Sequence, residues 1–491
     1  MSTAAPSPRS GLAAWWPATG LVALLAAVSL VTRADADLWG HVRFGLDILE
    51  TWRLPLDDPY SFTQDTPWVN HEWLSELLMG AAWAGGGAAG LVLLKGALVS
   101  ATLLVIWTAW RRVHVTAQIT ALLALIAGSL HITNPLRPQL WTFLCLAILV
   151  RVLSAEDRRA RRLLPLLFVV WANAHGGWVV GCGVLAAWAA GESWVDRSAR
   201  RQWLWLLPAC VAATLVTPYG TTLWTFIAST VRPGRQIEEW APLWASNPWN
   251  WLGWSLALAI AAWSLVRSER QRLARGLVLA MLAYGGLTVL RIGPLFLEAA
   301  LILGAHAAAR RWPARRGEAP AGASAAQIAA GLLLVVVPGA LAVRLAQFAT
   351  GCIPPLPHAA LDVRAVEAVA ATTGPARLIT FFDWGQYAIW HLGPRIRVSM
   401  DGRRETIYSD ARLAEHDAIV RGAAEGLASL AAWNAEYVWL PASSRETRDW
   451  LVDHGYRVDM ETGRSFLAVR SDLGVVPVDS SPEPAGRCFP R

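Results

Sequence analysis

The chain is poor in charge and almost free of lysine. Of its 491 residues only 16% are charged, Lys95 is the one lysine, and 55% are apolar, with a mean hydropathy of +0.36. Many windows approach the roughly 20 consecutive apolar residues that cross a bilayer. So little charge excludes an ordinary soluble protein, and the composition predicts a polytopic membrane protein.

Several short motifs are also missing. The sequence has no Walker loop, no Cys-x-x-Cys pair and no nucleophile elbow, which argues against an ATPase, a zinc-finger protein and a serine hydrolase. Of the five cysteines, three lie in apolar runs, where packing is the expected role. Cys352 and Cys488 lie in segments predicted outside the cell, where a disulfide is chemically allowed but the sequence does not decide whether they pair.

The positive charge is distributed as a topology signal. A formal charge of +7 and a pI near 9.5 would suit a nucleic-acid partner. The arginines, however, occur in short clusters between apolar runs, so we predict no nucleic-acid binding. The positive-inside rule places these clusters in the cytoplasm. They lie at 111–112, 151–162, 197–201, 267–275 and 310–316.

The apolar runs predict about eleven transmembrane helices and a cytoplasmic N-terminus. The first run, of about 22 residues, is longer than a signal-peptide core and is interpreted as an uncleaved anchor. If 163–190 crosses the membrane once instead of twice, everything after residue 351 changes sides. The predicted spans are 12–32, 87–110, 115–132, 138–153, 163–175, 177–190, 202–217, 250–266, 276–291, 294–309 and 326–347.

Residues 33–76 form an acidic first outer loop. Its many ionisable groups would be costly in lipid, so the loop must lie in water, among headgroups or over a cavity. Helical spacing of apolar residues predicts a surface helix from Leu38 to Trp52, a break at 54–59 and a second amphipathic stretch from Trp68. An integral membrane enzyme would keep its chemistry in such a loop.

The composition changes at residue 351. Short apolar runs at 378–382, 396–400, 437–440 and 466–469 predict strands, and 359–371, 411–432 and 444–454 predict helices. We therefore predict a transmembrane domain over 1–350 and a small soluble α/β domain over 351–491, on the extracytoplasmic side. Asp383 and Asp401 each follow a strand, where turn formation and ligand binding are both common roles.

Short motifs are spread over both predicted domains. They are Asp35-Ala-Asp37-Leu-Trp39-Gly-His41, 55–63, 68–73, Arg137-Pro-Gln139, 171–177, 217–220, Glu239-Trp240, Arg291, Asp383-Trp-Gly-Gln-Tyr387 and Asp401-Gly-Arg403. Together they resemble a group of bacterial polytopic proteins placed with the GT-C glycosyltransferases, which are more distantly similar to protein O-mannosyltransferases and aminoarabinose transferases. The resemblance implies a GT-C-like fold in the bacterial inner membrane. It also implies a polyprenyl-phosphate sugar donor and transfer on the non-cytoplasmic face.

The resemblance directs attention to carboxylates and arginines. Glycosyl transfer from a lipid phosphate needs a base for the acceptor's proton and cations for the leaving phosphate. Asp37 and Asp35, at the outer end of the first span, are the candidate catalytic bases, with Asp37 favoured. Arg137 and Arg291 are the candidate phosphate ligands, because both are predicted at outer span ends; snorkelling or pairing with a loop acid would also explain them.

Other residues are candidates for substrate binding. These are His41, His71, Glu72, His175 and Glu239. The two first-loop histidines and Glu72, with Asp35, offer donors for a divalent metal, but no fixed ligand spacing defines a site and we assign no metal ligand. His175 lies at a break between two short apolar runs, where it would either bind substrate or cap the backbone.

Two alternatives to a membrane glycosyltransferase stay open. One is a transporter or flippase of lipid-linked saccharide, and the other is a non-catalytic membrane scaffold. A transporter should show inverted halves with paired broken segments, whereas this sequence has one clear break, at 174–177, which favours the enzyme. The sequence specifies neither the sugar nor whether the acceptor is a glycan, a lipid or a protein.

Overall fold

The structure is a computed structural model. It describes residues 32–490 apart from 56, 115, 119, 122–123, 126–134, 156, 231–237, 268–270, 315–346, 348, 350, 357–361, 477 and 479–486. The chain divides into two compact units. The helical unit comprises 1–32, 92–221 and 231–351, and the mixed unit comprises 33–91, 222–230 and 352–491.

The described α-helices follow one another along the chain. They are α1 (Leu38–Thr51), α2 (Trp73–Trp110), α3 (Leu140–Ser154), α4 (Leu164–Ala174), α5 (Trp178–Val195), α6 (Arg200–Ala213), α7 (Thr221–Thr230), α8 (Trp249–Arg267), α9 (Arg272–Thr288), α10 (Gly293–Arg311), α11 (Val363–Ala370), α12 (Gly385–Leu392), α13 (Asp410–Arg421), α14 (Ala424–Trp433) and α15 (Arg445–Asp453).

Most predicted spans correspond to helices. Eight of the eleven predicted spans coincide with helices, namely α2 to α6 and α8 to α10. The other three predicted spans, 12–32, 115–132 and 326–347, lie wholly or largely outside the described residues. By length and composition, four described helices can cross a membrane: α2, α5, α8 and the segment Leu290–Arg311, which contains α10. The chain is therefore a mostly helical membrane protein, and the count of eleven spans stays a prediction.

Helices of the helical unit pack through small residues and one buried ion pair. A Cβ atom on Gly191 of α5 would lie 2.4 Å from the Ala274 Cα atom of α9, so only glycine allows this approach. The Arg161 side chain is fully buried and donates to Glu192 Oε2 at 2.7 Å and Oε1 at 2.9 Å. Arg161 therefore anchors helix ends in addition to its expected role as a topology signal.

The chain breaks between α4 and α5 as predicted. α4 ends at Ala174, His175 is extended, and α5 begins at Trp178. The 11 residues of α4 span about 16 Å, which is shorter than the ~30 Å hydrocarbon core. This break brings the polar His175 side chain to a point between two helix ends.

The mixed unit contains one five-stranded sheet. Its strands are β1 (Ala376–Thr380), β2 (Ile396–Val398), β3 (Tyr437–Pro441), β4 (Tyr456–Glu461) and β5 (Ser465–Arg470), in the order β2-β1-β3-β5-β4. β1 is parallel to β2 and β3, and β5 is antiparallel to β3 and β4. Four strands overlap the predicted ones. β4, whose side chains are mostly half-buried or exposed at the sheet edge, was not predicted.

Residues of the first loop extend this sheet. Val398 N–H of β2 donates to Tyr60 O at 2.8 Å, and Phe62 N–H donates to Val398 O at 3.1 Å. α1 packs against α12. The acidic loop and the segment after 351, separate in the sequence, thus fold into one unit.

A disulfide closes the mixed unit. Cys352 is bonded to Cys488, although the sequence left their pairing open. The neighbouring Phe489 ring packs against Trp39, and the Trp39 indole N–H donates to Pro490 O at 2.7 Å. Phe489 and Pro490 are therefore held against the first turn of α1 through Trp39.

Candidate functional site

The mixed unit contains an acidic cluster, which we define as His41, Asn70, Glu72 and Glu76. His41 lies on α1 and Glu76 in the first turn of α2. Glu76 bridges the others, because its Oε1 atom lies 3.0 Å from His41 Nδ1 and its Oε2 atom accepts from Asn70 Nδ2 at 2.5 Å. Because Glu76 is buried and both of its carboxylate oxygens have a hydrogen-bond partner, its side chain is fixed in place.

His41 is a cation in this cluster. Burial disfavours the imidazolium, but the hydrogen bond that His41 donates to Glu76 and the charges of Glu72, Glu76 and Asp37 outweigh burial and raise the pKa of His41 to about 9. The cluster thus carries one positive charge among several negative ones. A divalent cation would compete with that proton.

The acidic cluster has donors that suit a divalent metal. One ligand atom each from His41, Glu72 and Glu76 lies within 4.8 Å of the others. Imidazole and carboxylate are good ligands for several divalent ions, so the residues present fit a metal. The set differs from the one considered from sequence, because Glu76 completes it and Asp35 and His71 are not in it.

The two candidate bases lie in different surroundings. Asp35 is fully buried, and its backbone carbonyl accepts from Leu38 N–H at the start of α1. Asp37 is the N-cap residue of α1 and is partly exposed. Of the two residues, Asp37 is the more exposed to solvent.

A buried arginine network, missed by sequence reasoning, supports this region. The Arg403 guanidinium donates to both Asp58 oxygens at 2.7 and 2.9 Å and to both Asp401 oxygens at 2.9 and 2.8 Å. The Tyr408 hydroxyl donates to Asp401 at 2.9 Å. Aromatic rings surround the guanidinium; those of Trp68 and Phe44 lie 4.6 and 4.9 Å away.

Arg403 keeps its positive charge in the buried network. Burial disfavours the cation, but Asp401 and Asp58 outweigh burial and hold the pKa of Arg403 well above its usual value. Asp58 joins this network from the first loop, 345 residues away along the chain. The Asp-Gly-Arg motif at 401–403, which turn formation would also explain, is therefore a buried ionic anchor.

The helical unit contains an arginine cluster, which we define as Arg137, His175, Glu239 and Arg291. Arg137 precedes α3, His175 lies between α4 and α5, and the other two lie in short 3-10 turns, Glu238–Trp240 and Leu290–Ile292. Leu290 N–H donates to Ala241 O at 3.0 Å, which holds these turns together. Four parts of the chain thus converge on one group of polar side chains.

Glu239 is the centre of the arginine cluster. Arg137 Nη1 donates to Glu239 Oε1, and Arg291 Nε lies 3.8 Å from Glu239 Oε2. Both arginine side chains are more than a fifth exposed. Pairing with a loop acid, the alternative considered from sequence, is thus observed, and the guanidinium groups still reach the surface.

His175 is held at both ring nitrogens. Gly177 N–H donates to His175 Nδ1 at 3.0 Å, and Thr142 Oγ1 lies 2.7 Å from the same atom. On the other side of the ring, the Arg291 Nη2 donor lies 3.3 Å from Nε2. These contacts fix the imidazole ring beside the Arg291 guanidinium.

The other predicted residue, His71, lies in the mixed unit. Its ring packs against Phe226 of α7 with centroids 5.0 Å apart, and its Nε2 atom lies 3.6 Å from Glu72 Oε1. The structure thus places six of the predicted site residues in two clusters, one in each unit, and leaves Asp35, Asp37 and His71 outside both. The six are His41 and Glu72 in the mixed unit and Arg137, His175, Glu239 and Arg291 in the helical unit. That the two clusters serve one cavity stays a prediction.

Comparison with known proteins shows the fold. No family model and no curated protein matches the chain. The cryo-EM structure of arabinofuranosyltransferase AftD from Mycobacteria is similar with a TM-score of 0.50 and 16% identity over 95% of this chain. This chain spans about 40% of the length of AftD. The crystal structure of ArnT from Cupriavidus metallidurans bound to undecaprenyl phosphate has a TM-score of 0.49 and 13% identity, over 94% of this chain and 98% of ArnT.

AftD has the GT-C fold of membrane glycosyltransferases. The GT-C resemblance predicted from the motifs is thus confirmed at the level of the fold. At 16% identity the likeness concerns architecture alone, so the reaction has to be argued from the residues of this chain.

Proposed function

We propose that this chain is a membrane glycosyltransferase that transfers a sugar from a polyprenyl-phosphate donor to an extracytoplasmic acceptor. The arginine cluster is the observation that carries this proposal. An acceptor hydroxyl attacks the anomeric carbon, the bond from that carbon to the phosphate oxygen breaks, and the polyprenyl phosphate leaves with the electron pair. The acceptor's proton passes to a carboxylate.

The arginine cluster suits the leaving phosphate. Arg137 and Arg291 stay charged at any physiological pH and bind phosphate through two donors each. The His175 Nε2 atom, 3.3 Å from Arg291 Nη2, would orient the Arg291 guanidinium. Glu239 would hold the guanidinium groups apart and in place until the phosphate arrives.

Asp37 is the proposed general base. It is partly exposed, whereas the alternative base Asp35 is fully buried. A base must reach the acceptor's proton within hydrogen-bond distance, which favours the accessible carboxylate. His41, Glu72 and Glu76 would hold a divalent cation, which would supply positive charge for substrate oxygens, and His71 would line the same region.

The disulfide and the arginine-rich loops support the proposed location. The Cys352–Cys488 bond favours an oxidising compartment, so we place the mixed unit, with its sheet and helices, outside the cytoplasm. The arginine-rich loops then lie in the cytoplasm. About eleven spans in the inner membrane of a bacterium complete the proposal.

Transfer from labelled donors tests the function. Membranes with the native chain are incubated with polyprenyl-phosphate pentoses and hexoses, and transfer is compared with Asp37→Asn, Asp35→Asn and Arg291→Gln. Loss of a general base lowers the rate by about 100-fold or more, so Asp37→Asn should lose transfer at unchanged KM. Glu50→Gln, an exposed acid on the same helix, is the control and should be fully active.

Three results would decide against parts of the proposal. Transfer that survives both aspartate substitutions would exclude the carboxylate base. Donor binding without transfer in the native protein would point to a transporter or flippase. Absence of both would leave a scaffold.

A further inference from the structure

Three motifs that are distant in the sequence meet at Asp37 in the mixed unit. Gly40 follows Asp37 on α1, Gln386 lies in the first turn of α12, and Gly402 follows β2. A Cβ atom on Gly402 would lie 2.2 Å from Asp37 Oδ1 and 2.7 Å from Gln386 Nε2. The carboxylate and the amide nitrogen therefore lie within 2.7 Å of one point, and only a glycine at 402 leaves room for both.

The Gln386 amide fills the space between the two glycines. The side chain is buried, and a Cβ atom on Gly40 would lie 2.2 Å from its Oε1 atom. The amide oxygen thus faces α1, and among the described residues it has no hydrogen-bond partner. The amide nitrogen faces the Asp37 side, where its N–H groups suit a carboxylate and an oxygen would repel it.

The loop that bears Gly402 is held firmly on both sides. A Cβ atom on Gly385 would lie 2.0 Å from the Met400 carbonyl oxygen, so α12 begins directly against the end of β2. On the other side, Arg403 and Asp401 are fixed in the buried ionic anchor. Because neither flank can move, the position of Gly402 limits the orientations open to the Asp37 carboxylate.

We propose that Gln386 and Gly402 are positioning residues for Asp37, with Gln386 donating to the carboxylate and Gly402 setting the space it occupies. The inference rests on the proposed function, in which Asp37 takes the acceptor's proton. It assigns to the Asp-Trp-Gly-Gln-Tyr and Asp-Gly-Arg motifs a direct role in aiming that base. The segment after 351 then contributes directly to the reaction centre.

Chemical labelling of Asp37 tests the proposal without any substrate. The full chain in detergent is treated with a water-soluble carbodiimide and glycine ethyl ester from pH 4 to 8. Cleavage after Arg33 and Arg43 gives one peptide, 34–43, that contains both Asp35 and Asp37, and fragmentation separates the two sites. The buried Asp35 serves as an internal reference.

The variants separate the hydrogen bond that Gln386 donates from the steric role of Gly402. Gln386→Met keeps the bulk and removes the donor, which should move the midpoint of the Asp37 labelling profile up by about 1 pH unit. Gln386→Glu should move it further, because like charges disfavour ionisation. Gly402→Ala should increase Asp37 labelling, because the methyl group displaces the flexible ends of two side chains. Gly463→Ala, whose added Cβ atom would meet nothing within 4 Å, should match the native protein.

The outcomes distinguish this inference from the proposed function. If labelling shifts as expected and the native protein shows no transfer, the positioning stands and the function fails. If transfer is found, Gln386→Met should lower kcat and leave KM unchanged. Labelling profiles of Gln386→Met and Gln386→Glu that overlie the native profile would overturn the positioning role. Should Gly402→Ala unfold, as hydrogen exchange would show, the two Gln386 variants decide.

Discussion

Replacement of Arg403 by methionine should destabilise the mixed unit strongly. Arg403 is 8% exposed, and its guanidinium is bonded to both carboxylates of Asp58 and Asp401. Methionine keeps much of the volume among the aromatic rings but leaves two buried carboxylates without their cation. Removal of one partner from a buried ion pair costs about 3–5 kcal/mol.

Hydrogen exchange measured by mass spectrometry is the suitable assay, because it reports on the mixed unit alone. Peptides that contain β3 and β5 should lose protection equivalent to the full 3–5 kcal/mol. Arg397→Met, at an exposed position of β2, is the control and should change stability by about 0.5 kcal/mol or less. Arg403→Lys should also be destabilising, since lysine lacks the planar fork.

A combined variant isolates the cause. With Asp58→Asn and Asp401→Asn added to Arg403→Met, no buried charge is left without a partner, and part of the lost stability should return. If the amides of β3 and β5 are protected from exchange in Arg403→Met as strongly as in Arg397→Met, the ionic anchor does not stabilise the unit and the reasoning is wrong.

Three further predictions concern titration, the disulfide and metal binding. Burial, with the charge of Arg404, lowers the pKa of His416 to about 4, so on acidification the unfolded chain takes up this proton before the folded chain does. The neutral His416 therefore costs no stability above about pH 6.5. The free energy of unfolding should fall as the pH falls towards 4, by about 2 kcal/mol between pH 7 and 5. His416→Leu should flatten that pH dependence in exchange experiments, and an unchanged slope would exclude His416 as its source. Reduction of the disulfide, which closes a loop of 136 residues, should destabilise the mixed unit by about 4–5 kcal/mol, whereas reductant should have no effect on the Cys352→Ser/Cys488→Ser variant. Mn²⁺ or Zn²⁺ added to chelator-treated protein at 100 times its Kd should stabilise the unit by about 2.7 kcal/mol; equal stabilisation of Glu76→Gln would show that the ion binds elsewhere.

Local patterns predicted the elements better than the contacts between them. The helix predicted over Leu38–Trp52 is observed as Leu38–Thr51, because its apolar spacing and the break that follows are both local features. β4 was missed because an edge strand with half-exposed side chains lacks a strong apolar run. Local periodicity is visible in a single sequence, whereas edge pairing depends on the neighbouring strand.

The sequence offered candidate residues but not the contacts between them. Arg137, Arg291, Glu239 and His175 were chosen for their residue types and places in the chain; the structure shows that Glu239 pairs with both arginines and that His175 lies beside Arg291. The pairing of Asp58 with Arg403 joins positions 345 residues apart. No spacing rule connects such positions, so these partners could only be recognised in three dimensions.

The contact between Trp39 and Pro490 has a consequence for biogenesis. These residues are 451 positions apart, so the first turn of α1 cannot acquire its final partner until synthesis has passed residue 490. Contacts of such long sequence separation form late because the intervening chain must be closed first. A partly translated chain would therefore carry a first turn of α1 that lacks this contact, and the turn would be completed only after residue 490 had emerged from the ribosome.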